Sequence, residues 1–272
     1  MAYERLGDVA LDYAPCHYGA SKLVFRGPPR QLDGAYVAVL GGTETYGRFI
    51  ARPYPALIEA AAGVQMVNLG CVNAGVDAFL NDPDVLAACR RARVTVVQVL
   101  GAQNMSNRYY SVHPRRNDRF LRAAPPMRAL FREVDFTEFS FVRHMLSSLQ
   151  ALSPERFALM AAEVQGVWVA RMNMLLARLE TRAVLLWIGD RPPPEPGAAL
   201  TLDHDPLLID RDMVAALRPR VAAYVEVVAA AEAMPRGAVA LAAEESVAPG
   251  LPGPGVHDQI ARALAPVLRG LV

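Results

Sequence analysis

Four short apolar runs, each closing on or beside a glycine, constrain this chain more than any other feature. The first, Tyr36 to Leu40, lies between Asp33-Gly34 and Gly41-Gly42, and the second, Val64 to Leu69, runs into Gly70. The third, Val94 to Leu100, is rich in β-branched residues and ends at Gly101; the fourth is Ala183 to Ile188. Runs of this length bounded by turn residues read as buried strands. The stretches between them carry helix signals. Pro53 and Pro55 place a helix start near Ala56, another begins near Pro83, and Ser153 is an N-cap for a long helix from Pro154 to Glu180. A weaker fifth run, Ala238 to Ala242, follows a helix expected around Arg211 to Met234, and a last helix is expected over Asp258 to Leu271.

Strands that are apolar throughout are buried on both faces, and their alternation with helices is the pattern of a parallel sheet. The expected fold is therefore α/β, a flavodoxin-like three-layer sandwich on a five-stranded parallel sheet. The chain, 272 residues long, is read as one domain. Residues 1–30 form an N-terminal extension. Residues 105–152, dense in arginine and aromatic residues, form an insertion or lid after the third strand.

Charge and composition exclude several function classes. The formal net charge is +1, from 28 basic and 27 acidic residues, so no overall field favours nucleic acid or an anionic membrane. The start, MAYERLGDVALDYAPC, is polar and acidic where a secretion signal needs a basic start and an apolar run. No run of about 18 uncharged apolar residues is present. A protein made in the cytoplasm is expected, which lysis could release within a particle. Cys16, Cys71 and Cys89 are too few and too scattered for a disulfide framework or a zinc site. Asp203-His204-Asp205 reads as a polar turn rather than a metal site. Without a P-loop or a GxGxxG after the first strand, no nucleotide cofactor is expected.

In an open parallel sheet, ligands bind beyond the carboxyl ends of the strands. The loops there read GGTETYG (Gly41 to Gly47), NLGCVNAG (Asn68 to Gly75) and GAQN (Gly101 to Asn104), and VHDQIARALAPVL (Val256 to Leu268) opens the last helix. These four blocks, in this order, resemble those of the SGNH, or GDSL, hydrolase superfamily. The resemblance runs from Gly41 to the end and leaves out the first 30 residues and the insertion. It implies an ester-hydrolysing site in which Thr43 is the hydroxyl nucleophile and His257 its base, with the Gly75 N–H and the Asn104 side-chain amide holding the oxyanion. Two departures count against turnover. Gly42-Thr43 stands where the family has Asp-Ser, and the extra methyl of threonine crowds its hydroxyl. Pro254 stands where the family's acidic partner of the histidine belongs.

The insertion suggests a ligand. Arg108, Tyr109, Tyr110, Arg115 and Arg116 follow the third block closely, and arginines with tyrosines suit an acidic or sulfated glycan. Taken with the damaged nucleophile block, this favours a carbohydrate-binding protein over its alternative, an active esterase or O-acetyl-transfer enzyme using Thr43 and His257. YERLGDVALDY, GGTETYG and GAQNMSNRYYSVHPRRNDRF also resemble a family of GC-rich alphaproteobacteria associated with capsule-binding head spikes of phage-like gene transfer particles. That resemblance implies a homo-oligomeric ring or attachment to a capsid.

Overall fold

The structure, a computed structural model, describes residues 11–229 and 251–272. Its elements follow in chain order as β1 (Tyr36–Gly41), α1 (Thr43–Tyr46), α2 (Tyr54–Ala62), β2 (Gln65–Gly70), α3 (Val76–Leu80), α4 (Pro83–Arg91) and β3 (Val94–Gln98). The insertion then contributes the hairpin β4 (Tyr110–Val112) and β5 (Phe120–Ala123), with helices α5 (Pro125–Leu130) and α6 (Val142–Leu152). The remainder is α7 (Pro154–Leu179), β6 (Arg182–Gly189), α8 (Arg211–Leu217), β7 (Ala223–Val228) and α9 (Pro254–Arg269).

The main sheet has the order β2-β1-β3-β6-β7, and every pairing in it is parallel. Counting only its own strands, this is 2-1-3-4-5, the flavodoxin-like order, so the expected α/β class and sandwich hold. Side chains alternate across the sheet as the pleat requires. Val37 and Val39 of β1 face the layer of α2 and α9, with Ile58, Ile260 and Leu264. Tyr36, Ala38 and Leu40 face the other layer, where α3, α4, α7 and α8 pack.

Helix α7 is the spine of that second layer. Phe157, Met160, Val164, Trp168, Met172, Leu175 and Leu179 are all buried and recur at three- and four-residue steps, one stripe of a helix. Ser153 caps it as expected, its side chain accepting from the Arg156 N–H. Trp168 donates its indole N–H to the Leu100 carbonyl at 2.9 Å and so ties the helix to the end of β3.

One expected element lies elsewhere. The helix from Arg211 stops at Leu217 because Pro219 cannot continue it, and a 3-10 turn, Arg218–Arg220, leads into β7 at Ala223–Val228. The fifth strand is therefore this edge strand. The segment Ala238 to Ala242, proposed from sequence, lies outside the described residues. The described part of the extension packs on the domain. Arg26 is buried, and its guanidinium donates to the carbonyls of Gly47, Ile50 and Ala51 at 2.6, 2.7 and 2.9 Å, pinning the turn after α1 from behind.

Candidate functional site

The turn after β1 is set by Gln98, the last residue of β3. Its Oε1 accepts from the Gly42 N–H at 2.9 Å and from the Thr45 hydroxyl at 2.6 Å, and its Nε2 donates to Glu44 Oε2 at 2.8 Å. Gly41 is required for this arrangement, since a Cβ there would lie 1.9 Å from Thr45 Oγ1 and 2.4 Å from Gln98 Oε1. With its proton given to Gln98, Thr45 accepts from the Tyr54 hydroxyl at 2.7 Å.

Thr43 and Glu44, held by this turn, open onto a cleft of about 360 Å³ at the carboxyl ends of the strands. The loop after β2 adds Asn73, the loop after β3 adds Gln103 and Asn104, and the loop after β6 adds Asp205. Residues 105–152 add Asp118, Phe141 and Arg143. Asn73 takes the left-handed conformation, φ 56°, which turns its N–H onto Thr43 Oγ1 at 3.0 Å. Thr43 in turn donates to Asn73 Oδ1 at 3.2 Å, Asn73 Nδ2 donates to Asp118 at 3.1 Å, and Asn104 Nδ2 donates to the Asn73 carbonyl at 3.3 Å. Arg143 pairs with Asp205. Phe141 is 43% exposed and carries the Arg119 guanidinium 4.2 Å from its ring centre. Gln103 is buried in the wall, and its Oε1 is an acceptor without a partner among the described residues.

Of the four residues implied as catalytic, the fold brings together Thr43 and Asn104. The other two serve elsewhere. The Gly75 N–H, expected to face an oxyanion, donates to Asn117 Oδ1 at 2.8 Å, and Asn117 is itself buried. His257, expected as the base, is 1% exposed in the opposite helical layer, where its Nδ1 accepts from the Tyr54 N–H at 3.1 Å and its ring stacks on that of Tyr54. An accepting Nδ1 puts the proton on Nε2 and makes the ring neutral. Burial, reinforced by the nearby Arg26 charge and opposed by Asp258, lowers its pKa to about 4. His257 faces inward because it lies in the first turn of α9 on the same buried stripe as Ile260, Ala261 and Leu264.

The insertion residues expected to grip a glycan also lie away from the cleft. Tyr110 is fully buried, its hydroxyl donating to the Gln103 carbonyl at 2.8 Å, and Tyr109 is buried beneath Arg108. Arg108 pairs with Glu163 at 3.4 Å on the surface. Arg115 and Arg116 are exposed, their backbone N–H groups tied to His113 Nδ1, and Arg115 borders a separate hollow with Lys22 and Arg171.

Sequence reasoning missed Glu44, Asn73, Asp118, Phe141 and Arg143. Glu44 is the most perturbed of these: loss of water raises its carboxyl pKa, Asp205 adds to the rise, and the Gln98 amide and Arg143 oppose it. Among the described residues no group of three or more His, Cys, Asp and Glu side chains is placed to hold a metal ion. Nor is any described helix long and apolar enough to cross a membrane.

A family described as "Domain of unknown function (DUF6473)" matches residues 1–272. No curated protein matches the chain. Among solved structures it is similar to a protein described as lipolytic, of the G-D-S-L family, from Desulfitobacterium hafniense DCB-2, at 13% identity over 86% of this chain and 99% of that one, TM-score 0.39. It is also similar to a lipase from a goat rumen metagenome, at 12% identity over 88% and 97% of the two chains, TM-score 0.36. A third similar structure is a salicylyl-acyltransferase from a tetracycline biosynthetic pathway, at 13% identity over 89% of this chain and 58% of that one, TM-score 0.40.

Proposed function

We propose that this chain, which belongs to the family described as Domain of unknown function (DUF6473), binds a saccharide in the cleft beyond its parallel strands and does not use Thr43 and His257 as an acyl-transfer pair. The supporting observation is the cleft's mixture of groups. Carboxylates (Glu44, Asp118, Asp205) and amides (Asn73, Gln103, Asn104) stand around one half-exposed ring, Phe141. Planar polar groups match the paired hydroxyls of a sugar, and an aromatic face packs on the apolar face of a pyranose. Because the acidic groups outnumber the one arginine, and that arginine is already paired, the cleft suits a neutral stretch of polysaccharide, capsular chains included, better than a sulfated one.

Among the described residues the route through Thr43 has no base in contact with its hydroxyl. Its hydroxyl donates to an amide oxygen, which does not take up a proton, and His257 is spent on Tyr54. Isothermal titration with a panel of neutral and acidic oligosaccharides tests the reading. A neutral oligosaccharide is expected to bind, and Phe141→Ala and Asp118→Ala are each expected to weaken it about tenfold, roughly 1.4 kcal/mol. Binding to acidic members only, or affinity indifferent to both substitutions, would overturn it.

As a component of a released particle, the role implied by the second resemblance, the chain would display the cleft in several copies. Static light scattering is expected to report a ring-sized oligomer, and a strict monomer at all concentrations would count against that role.

A further inference from the structure

The proline-rich connection from β6 to α8 forms a second pocket, with α7 and the end of β6. The connection is pinned by three side chains. Trp187 Nε1 of β6 donates to the Arg191 carbonyl at 2.9 Å, Gln165 Nε2 of α7 to the Leu208 carbonyl at 3.1 Å, and Gln150 Nε2 of α6 to the Leu200 carbonyl at 2.7 Å. The space so enclosed holds about 290 Å³, near the lower end of small-molecule sites, roughly 300–1,000 Å³. Trp187, Pro194, Leu200, Pro206 and Leu208 give it apolar walls, and Ala158, an exposed residue of α7, also lines it.

Arg191 and Thr201 stand together in this wall, the guanidinium Nη2 donating to the Thr201 hydroxyl at 2.8 Å. That bond uses one of the guanidinium N–H donors, and because the Thr201 oxygen accepts, its own proton is left to give. Neither side chain has a further acceptor among the described residues. The carboxylates in the same wall are engaged. Glu195 pairs with Arg211 at 2.7 Å, Asp205 pairs with Arg143, and Asp210 accepts the Met213 N–H at the start of α8 at 2.9 Å. His204, the other basic residue here, lies against Asp190. Arg191 is therefore the cation of this wall that has no opposite charge among the described residues. Two adjacent donors beside apolar walls suit a ligand that accepts through one end and is apolar elsewhere.

We propose that this pocket binds a compact apolar monocarboxylate, its carboxylate held by Arg191 and Thr201 and its body packed against Trp187 and the prolines. The planar guanidinium fork matches the two oxygens of a carboxylate. A single negative charge balances the single unpaired guanidinium. A phosphate dianion would bring a second charge toward Glu195 and Asp210, which disfavours it. The flat faces of Trp187, Pro194 and Pro206 suit a ring in the body of the ligand. The pocket adjoins the saccharide cleft, since Asp205 and Pro206 line both, but the inference rests on neither the saccharide reading nor Thr43.

Isothermal titration of the full chain with three ligands that share one ring system tests the site. 2-Naphthoate is expected to bind with a Kd on the order of 100 μM. Neutral 2-naphthamide should bind at least about tenfold more weakly, and 2-naphthyl phosphate more weakly than the carboxylate. Arg191→Gln is expected to abolish the preference for acid over amide while leaving the amide affinity nearly unchanged. Ala158→Trp places a large side chain in the pocket from an exposed helix position and should block acid and amide alike. If Arg191→Gln does not fold, the wild-type ligand series and Ala158→Trp still decide the matter. No binding of naphthoate at millimolar concentration, equal affinity for acid and amide, tighter binding of the phosphate, or affinity unchanged in folded Ala158→Trp would each overturn the proposal. Oligosaccharide titration of the same samples reads the cleft separately, so loss of either site leaves the other standing.

Discussion

Lowering the pH from 7 to 4 is expected to remove about 3 kcal/mol of folding stability through His257 alone. The imidazole is 1% exposed, its Nδ1 is committed as an acceptor, and its folded pKa is about 4 against an ordinary 6.5. Between those two values the unfolded chain binds a proton that the folded chain refuses. Stability from this group is therefore full above about pH 6.5 and is lost as the pH falls to about 4. Glu44 works with the opposite sign, since its raised pKa gives stability that fades as the pH rises. The difference between wild type and His257→Gln isolates the histidine. Urea unfolding at pH 7 and pH 4 is expected to show a pH-induced loss about 3 kcal/mol larger in wild type than in the variant. Equal losses in the two proteins would mean that His257 titrates normally, and its exclusion from base chemistry would lose its footing.

That placement also marks where the sequence stopped being informative. Four of the five sheet strands are visible because largely buried strands are mainly apolar, and three of them close on a glycine, Gly41, Gly70 and Gly189. The fifth, β7, is an edge strand with exposed Glu226 and Val228, and so shows only the alternation Tyr224 to Val228. Pro219 just ahead of it was the available sign that the preceding helix had ended.

Block order led to the cleft walls at Thr43 and Asn104 because each lies in a loop that follows a strand, where topology sets position. The partners of Thr43 come from contacts between loops remote in sequence, such as Asn73 with Asp118, which no local pattern encodes. Glu44 carried a readable hint, a carboxylate between two threonines at a strand end, but its raised pKa comes from burial by remote segments, with Asp205 adding to it. The arginine-rich tract misled because composition does not say which way a side chain points: Tyr110 faces the core, and Arg115 and Arg116 face solvent.

Gly75→Ala is expected to be the most disruptive single-methyl change in the site. A Cβ at position 75 would lie 1.7 Å from the Asn104 carbonyl oxygen and 2.7 Å from its carbon, both backbone atoms that no rotamer change can move aside. The loop carrying Asn104 must therefore shift by more than an ångström. That shift strains the bond from the Gly75 N–H to buried Asn117, which anchors the insertion, and the 3.3 Å bond from Asn104 to the Asn73 carbonyl beside Thr43. Overpacking costs about 1–3 kcal/mol, and a buried polar group left unpaired adds about 1–3 more. Urea unfolding is expected to show a loss of on the order of 4 kcal/mol from the sum of these two terms, with at least a tenfold loss of oligosaccharide affinity in whatever still folds. A stable Gly75→Ala with wild-type affinity would remove the close approach to Asn104 on which the shape of the cleft depends.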